Sequence, residues 1–190
     1  MENIWQKLKK PIIALSPMAD MTDSPFTQIC REYGAHVVFR EMVSSEAVCR
    51  GNPDTIEMCK FVSAERPFIQ QIFGSEADRM ATAAAFIEQN FHPDGIDINM
   101  GCPVYKMVSQ FHGAALLKDM DNAQKIIRAI KAAVSVPVSV KVRLGWSKNT
   151  EILDFLPRIE EAGADLITIH GRTKEQSYSG VSDWGMIGRA

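Results

Sequence analysis

The feature that most restricts this chain is a regular alternation of short apolar runs with stretches of helical periodicity. Residues 12–15, 37–39, 67–73, 95–100, 137–143 and 166–170 each read as a strand, and their length and continuous apolar character suit burial on both faces. Between them lie amphipathic helices. Ser24 with Pro25 after it opens one whose inward face is Phe26, Ile29, Cys30 and Tyr33, ended by Gly34. A second carries Met80, Ala84, Ile87 and Phe91. A third follows Asp121 and Gln124, spaced as a capping box, with Ala123, Ile126, Ile127, Ile130 and Val134 inward. A fourth carries Ile152, Leu156 and Ile159, with Pro157 expected to kink or shorten it and Gly163 to stop it. The segment 41–59 has no such regularity.

Six strand–helix units in strict order imply a parallel sheet, which is either doubly wound or rolled into a barrel. A doubly wound nucleotide-binding sheet normally carries a glycine-rich loop after its first strand. Here that position reads Ser16-Pro17-Met18-Ala19. A TIM-type (β/α)8 barrel fits better, because polar or reactive groups recur where successive strands end: Gln71, Asn99 with Cys102, Lys141 with Arg143, and His170 with Arg172. A barrel gathers those ends around one mouth.

Composition removes several classes. At 190 residues and 46% hydrophobic content the chain can bury one sizeable core, and a net charge of −2 provides no global field for nucleic acid. Any anionic partner therefore needs a local patch, for which Lys106, Lys141, Arg143, Arg172 and Lys174 are the candidates. No apolar run approaches the roughly 20 residues of a membrane span, and the first ten residues lack the apolar segment of a secretory leader. The four cysteines form no CxxC pair, so neither a metal site nor a disulfide framework is expected and a reducing cytoplasm fits.

Cys102 follows a buried strand in the run Asp97-Ile98-Asn99-Met100-Gly101-Cys102-Pro103. Gly101 is expected to take a backbone angle other residues avoid, and Pro103 to stiffen the turn, presenting the thiol as acid, nucleophile or redox group. Lys141 stands in an otherwise apolar strand, where a cation is costly unless it faces a partner or ligand. It could form a Schiff base or remain charged beside an anion such as a reduced flavin or a phosphate. Gln71 offers a donor and an acceptor suited to the edge of a flavin or pyrimidine. His170, beside Arg172, marks a candidate phosphate contact.

At these residues the chain resembles the tRNA-dihydrouridine synthase family, and its bacterial, nitrogen-regulation-associated branch in particular. The resemblance rests on six blocks in order: residues 16–26 (SPMADMTDSPF), 71–75 (QIFGS), 97–103 (DINMGCP), 113–117 (GAALL), 140–146 (VKVRLGW) and 169–173 (IHGRT). It implies an oxidoreductase in which FMN lies across the barrel mouth and NADPH, or NADH, reduces it. Hydride then passes from the flavin to C6 of a tRNA uridine, and Cys102 donates a proton to C5, giving 5,6-dihydrouridine. A thiol of ordinary pKa near 8.5 is mostly protonated at neutral pH and can serve as that acid. By the same resemblance Pro17, Met18, Ala19, Gln71, Lys141 and His170 would hold the cofactor. Asn99 and Arg143 would face the base, with Lys106 and Arg172 nearer the RNA backbone.

The resemblance also implies more chain than 190 residues. A complete barrel takes roughly 250 residues and eight strands, and the loops after strands seven and eight often hold a cofactor phosphate. The expectation is thus one catalytic barrel domain over 1–190, incomplete at its C-terminal side. The family's helical tRNA-binding domain would lie beyond it, and the complete protein would be monomeric. Phe111-His112, in a loop the family usually makes glycine-rich, is a further departure. Rival readings are another FMN-dependent barrel of dihydroorotate-dehydrogenase type, a lyase using Lys141 as a Schiff base, and a non-catalytic RNA-binding module. Cys102 disfavours the first, and the acidic balance the last.

Overall fold

Apolar runs bounded by turn residues become strands here because each is covered on one side by helices and on the other by the sheet's own curvature. The computed structural model describes residues 3–190. In chain order these form α1 (Ile4–Lys7), β1 (Ala14–Leu15), α2 (Ser24–Glu32), β2 (Val37–Ser44), α3 (Ser45–Cys49), α4 (Pro53–Glu57), β3 (Phe68–Phe73) and α5 (Ala77–Phe91). There follow β4 (Gly95–Met100), α6 (Tyr105–Val108), α7 (Met120–Ala133), β5 (Val138–Arg143), α8 (Ile152–Glu161), β6 (Leu166–His170) and α9 (Trp184–Arg189), with short 3₁₀ turns before β3, α7 and α8. Among the described residues the sheet has six strands in the order β1-β2-β3-β4-β5-β6, all parallel. Strict sequential order with helical crossovers is the topology of an unclosed TIM-type barrel.

Period-2 alternation sorts the side chains. Ile96, Ile98 and Met100 of β4 and Val138, Val140 and Val142 of β5 point outward, where they pack with Met80, Ile87, Ile126, Ile127 and Ile130 of α5 and α7. Each of those isoleucines is fully buried, which contributes about 1.5–3 kcal/mol apiece. The opposite, concave face is divided along its length. Its lower part is apolar: Val37, Phe39 and Ile69 meet Trp5, whose ring stacks on Phe39 at 6.0 Å, so α1 plugs the amino end of the strands. Its upper part carries Gln71, Asp97, Asn99, Ser139, Lys141, Arg143, Thr168 and His170, brought side by side by the registers of β3 through β6.

Several local expectations change. Asp23, not Ser24, caps α2, accepting from the Phe26 amide at 3.0 Å, while the Ser24 hydroxyl donates to buried Glu65 at 2.7 Å. Asp119, not Asp121, caps α7; Asp121 instead ion-pairs with Arg158. Residues 37–44 form one strand with a register shift between Arg40 and Val43, and α3 and α4 follow in the segment that showed no pattern. Pro157 neither breaks nor shortens α8, because it sits on the exposed side, where losing one backbone bond is tolerated. The face of α2 expected in the core is largely open: Ile29 is 51% and Tyr33 89% exposed, and Cys30 is half-buried. The helix that carries them packs on β2 and the turn before β3, and β6 at the far edge of the sheet has every residue half-buried. Among the described residues both edge strands have a neighbour on one side only.

Candidate active site

At the carboxyl ends of the strands the concave face opens into a cleft of about 660 Å³, within the range of small-molecule and cofactor sites. Pro17, Met18 and Ala19 line one wall. Their loop is folded by fully buried Thr22, whose hydroxyl donates to the Met18 carbonyl and accepts from the Met18 amide, both at 3.1 Å. Gln71, Asn99, Cys102, Lys141, Arg143 and His170 also line it, together with Met42, Thr168 and Tyr178. Lys106 and Arg172 are elsewhere. Lys106 borders a neighbouring recess of about 600 Å³ shared with Arg50, Arg79 and His112, and Arg172 donates to the Gly180 carbonyl at 2.7 Å.

Cys102 is held through its backbone. The Asn99 side-chain oxygen accepts from the amides of Gly101 at 3.1 Å and Cys102 at 2.9 Å, and the Cys102 carbonyl accepts from Ala114 at 3.0 Å. Arg143 donates from Nε to the Gly101 carbonyl at 2.6 Å and from Nη1 to Thr173 and Ser177 carbonyls at 3.0 and 2.7 Å. It thereby clips the cysteine loop to the loop after β6, with its guanidinium 5.5 Å from the Tyr178 ring centroid. Arg143 is 1% exposed, so most of its hydrogen-bonding capacity is committed to the protein rather than to a base in the cleft. Gly101 does not occupy the left-handed region; Gly113 does, with φ +59°. A Cβ on Gly113 would stand 2.8 Å from the Cys102 carbonyl oxygen, so the close approach that shapes this turn is made one loop away from where the sequence pointed.

Behind the lining residues runs a chain of polar side chains. Ser139 Oγ and Gln71 Nε2 each donate to the Asp97 carboxylate at 2.6 Å, and Asn99 Nδ2 donates to Gln71 Oε1 at 2.9 Å. Asp97 is completely buried; burial raises its pKa to about 6, although both donors oppose the rise. Burial lowers the proton affinity of Lys141, Asp97 pulls it back up, and Arg143 pushes it down again. Among the described residues Lys141 has no hydrogen-bond partner, so its ammonium is free to meet a ligand. His170 is pushed down to about 4 by burial and by Arg143, Lys141 and Arg172. It is therefore neutral at pH 7, which changes the expected contact: His170 offers a hydrogen bond to a phosphate but no charge.

Asp97, Ser139 and Thr22 are the members that sequence reasoning passed over. Asp97 carried a usable signal, since a charge in an apolar strand demands the same explanation as Lys141. Thr22 and Ser139 carried none, because their hydroxyls matter only through partners distant in sequence.

The architecture defines a class first: a barrel protein whose reactive groups, a thiol and an unpaired lysine among ordered amides, face a cleft at the strand carboxyl ends. Residues 13–189 match the family described as Dihydrouridine synthase (Dus), and the chain belongs to that family. It is 40% identical over 176 residues to a probable tRNA-dihydrouridine synthase of Rhizobium leguminosarum bv. phaseoli, covering 92% of this chain and 55% of that protein. It is 38% identical over 179 residues to one of Rhodobacter capsulatus, covering 93% and 55%. It is 39% identical over 178 residues to tRNA-dihydrouridine synthase B of Pseudomonas syringae pv. tomato, covering 92% and 52%. The chain thus spans about half the length of the curated relatives it matches. Among the described residues no helix is long and apolar enough to cross a membrane.

Proposed function

We propose that this chain forms the greater part of the catalytic barrel of a flavin-dependent tRNA-dihydrouridine synthase, working in the cytoplasm and reducing uridine to 5,6-dihydrouridine at the expense of NADPH or NADH. The single observation that carries the reading is the geometry of Cys102. Its thiol-bearing residue is fixed by Asn99 and Ala114 at the rim of a cleft into which the neighbouring strand β5 presents the unpaired ammonium of Lys141.

The residues present fit the ring of FMN. The wall of Pro17, Met18 and Ala19 with Met42 is apolar and close to backbone amides, as a flat aromatic ring requires. Gln71 spends one N–H on Asp97 and one lone pair on Asn99, leaving a second N–H and a second lone pair for a pyrimidine edge. Lys141 is the cation that would offset negative charge on the reduced ring, and His170 supplies a neutral hydrogen bond. When bound, FMN supplies the hydride that reduces the uracil C5–C6 bond. The chain's own work is to seat the uracil beside Asn99 and Cys102, to keep it dry, and to deliver a proton from the Cys102 thiol to C5. Arg143 serves this by fixing the loop that carries Cys102. Lys106 and Arg172, outside the cleft, would meet the phosphate backbone of tRNA.

The test is direct. Full-length protein should copurify with a flavin absorbing in the blue, oxidise NADPH or NADH, and convert uridine to dihydrouridine in tRNA from a strain lacking its synthases, read by mass spectrometry. A flavin-free protein, or one leaving tRNA unmodified, would reject the reading. Borohydride trapping of Lys141 with a carbonyl compound would favour the lyase instead.

A further inference from the structure

We propose that Asp97 is a positioning residue of this site, the buried counter-charge that holds Lys141 as a cation while leaving its ammonium unengaged. The inference rests on the reading of the cleft as the synthase site. In the β4–β5 register Asp97 stands opposite Ser139 and Asn99 opposite Lys141, which makes Asp97 and Lys141 diagonal neighbours on the concave face. Asp97 is wholly buried, yet it makes no ion pair with any described residue. Both of its oxygens are occupied by neutral donors, Gln71 and Ser139. Lys141 likewise has no hydrogen-bond partner among the described residues.

An isolated buried carboxylate is expensive, and a contact ion pair is its usual remedy. Here the two opposite charges are instead kept a diagonal apart. A contact pair would tie up the lysine. A carboxylate whose two oxygens are each already held in place by a neutral donor makes no contact with the ammonium here, but still lends its field at short range through a low-dielectric interior. The other charged or titratable groups facing Lys141 are Arg143 on its own strand, which drives the proton off, Cys102 from the β4 side, which favours it, and neutral His170 from β6. Asp97 is the main group opposing the desolvation of that ammonium. Asparagine in its place can still accept from Gln71 with its oxygen and donate to Ser139 with its nitrogen, so Asp97→Asn removes charge and keeps the chain of hydrogen bonds.

The experiment is competitive acetylation of the FMN-free full-length protein with acetic anhydride, read lysine by lysine by mass spectrometry. Because only the neutral amine reacts, Lys141 in Asp97→Asn should label at pH 7 at least fivefold faster, relative to exposed lysines, than in the wild type. A ratio within twofold of wild type overturns the proposal. Should the variant not fold, the wild type suffices: as pH falls from 7 to about 6, Lys141 labelling should fall less than tenfold per pH unit, because Asp97 takes up its proton more readily beside a neutral Lys141, and should return to tenfold per unit below that; a uniform tenfold slope throughout overturns the proposal. Dihydrouridine formation by the wild type is measured in parallel. Absent activity with a shifted Lys141 rejects the synthase reading and leaves the charge coupling standing, and the converse rejects the coupling alone.

Discussion

Gly113 has φ +59°, and a Cβ there would stand 2.8 Å from the Cys102 carbonyl oxygen and 3.0 Å from its Cβ. Gly113→Ala is therefore expected to cost about 1–3 kcal/mol in urea unfolding and to lower dihydrouridine formation at least tenfold by moving Cys102. Full activity with unchanged stability would show that the cysteine does not depend on this contact. Two other residues make opposing pH signatures. Asp97 titrates at about 6 against an ordinary 3.8, so its contribution to stability is full below about pH 4 and lost as pH rises through 6. His170 titrates at about 4 against an ordinary 6.5, so its contribution is full above about 6.5 and lost as pH falls through 4. Between pH 4 and 6.5 the two largely offset. Against the wild type, Asp97→Asn should leave a stability that rises with pH across that window, and His170→Gln one that falls, as urea midpoints at several pH values will show. At this scale the sequence was informative where a residue's type conflicted with its surroundings, as for Lys141. It misled where conformation depends on distant contact: Gly101 was expected to take the unusual angle, and Gly113 takes it.

Among the elements, β2 and α2 are joined by a device no periodicity reveals. Arg40 of β2 and Glu65, both buried, pair at 3.3 Å, and Glu65 also accepts from Ser24, Thr27 and the Val62 amide. Glu65→Ala leaves Arg40 buried without its anion and is expected to cost about 3–5 kcal/mol by denaturant unfolding. Replacing both partners with apolar residues of similar size should cost less than the sum of the single changes; strict additivity would mean that the pair is not coupled. Strands β4 and β5 were legible because each is buried on the helix side by uninterrupted aliphatic residues, and β3 and β6 because their runs are short and mostly apolar. The reach of β2 through Ser44 was not, since Arg40 and Glu41 interrupt its apolar run and become intelligible only once Glu65 and Asp20 are seen against them. The caps slipped by a residue or two because Asp23 and Asp119 compete with equally plausible neighbours for the same free amides.

For the whole molecule, the unclosed sheet explains why part of the apolar pattern is exposed. Ile13 beside β1 and Ile29 and Tyr33 of α2 are exposed, and β6 is half-buried throughout, so the faces read as core in the sequence lack a covering neighbour among the described residues. The barrel topology was legible because strict strand–helix alternation without a glycine-rich first loop admits few alternatives. The mouth was legible because polar residues recur at successive strand ends. Its inner layer was less so, since Asp97 and Ser139 act through Gln71 and Lys141 rather than in the cleft. The central claim is that this mouth delivers a proton from Cys102 to a uracil. The most direct measurement compares Cys102→Ala with wild type in the full-length protein, following flavin content, flavin reduction by NADPH, and dihydrouridine formed in tRNA. The account predicts unchanged flavin content and reduction with dihydrouridine formation lowered by about 10²-fold or more, the usual weight of a positioned general acid. Unchanged dihydrouridine formation by the alanine variant would contradict it.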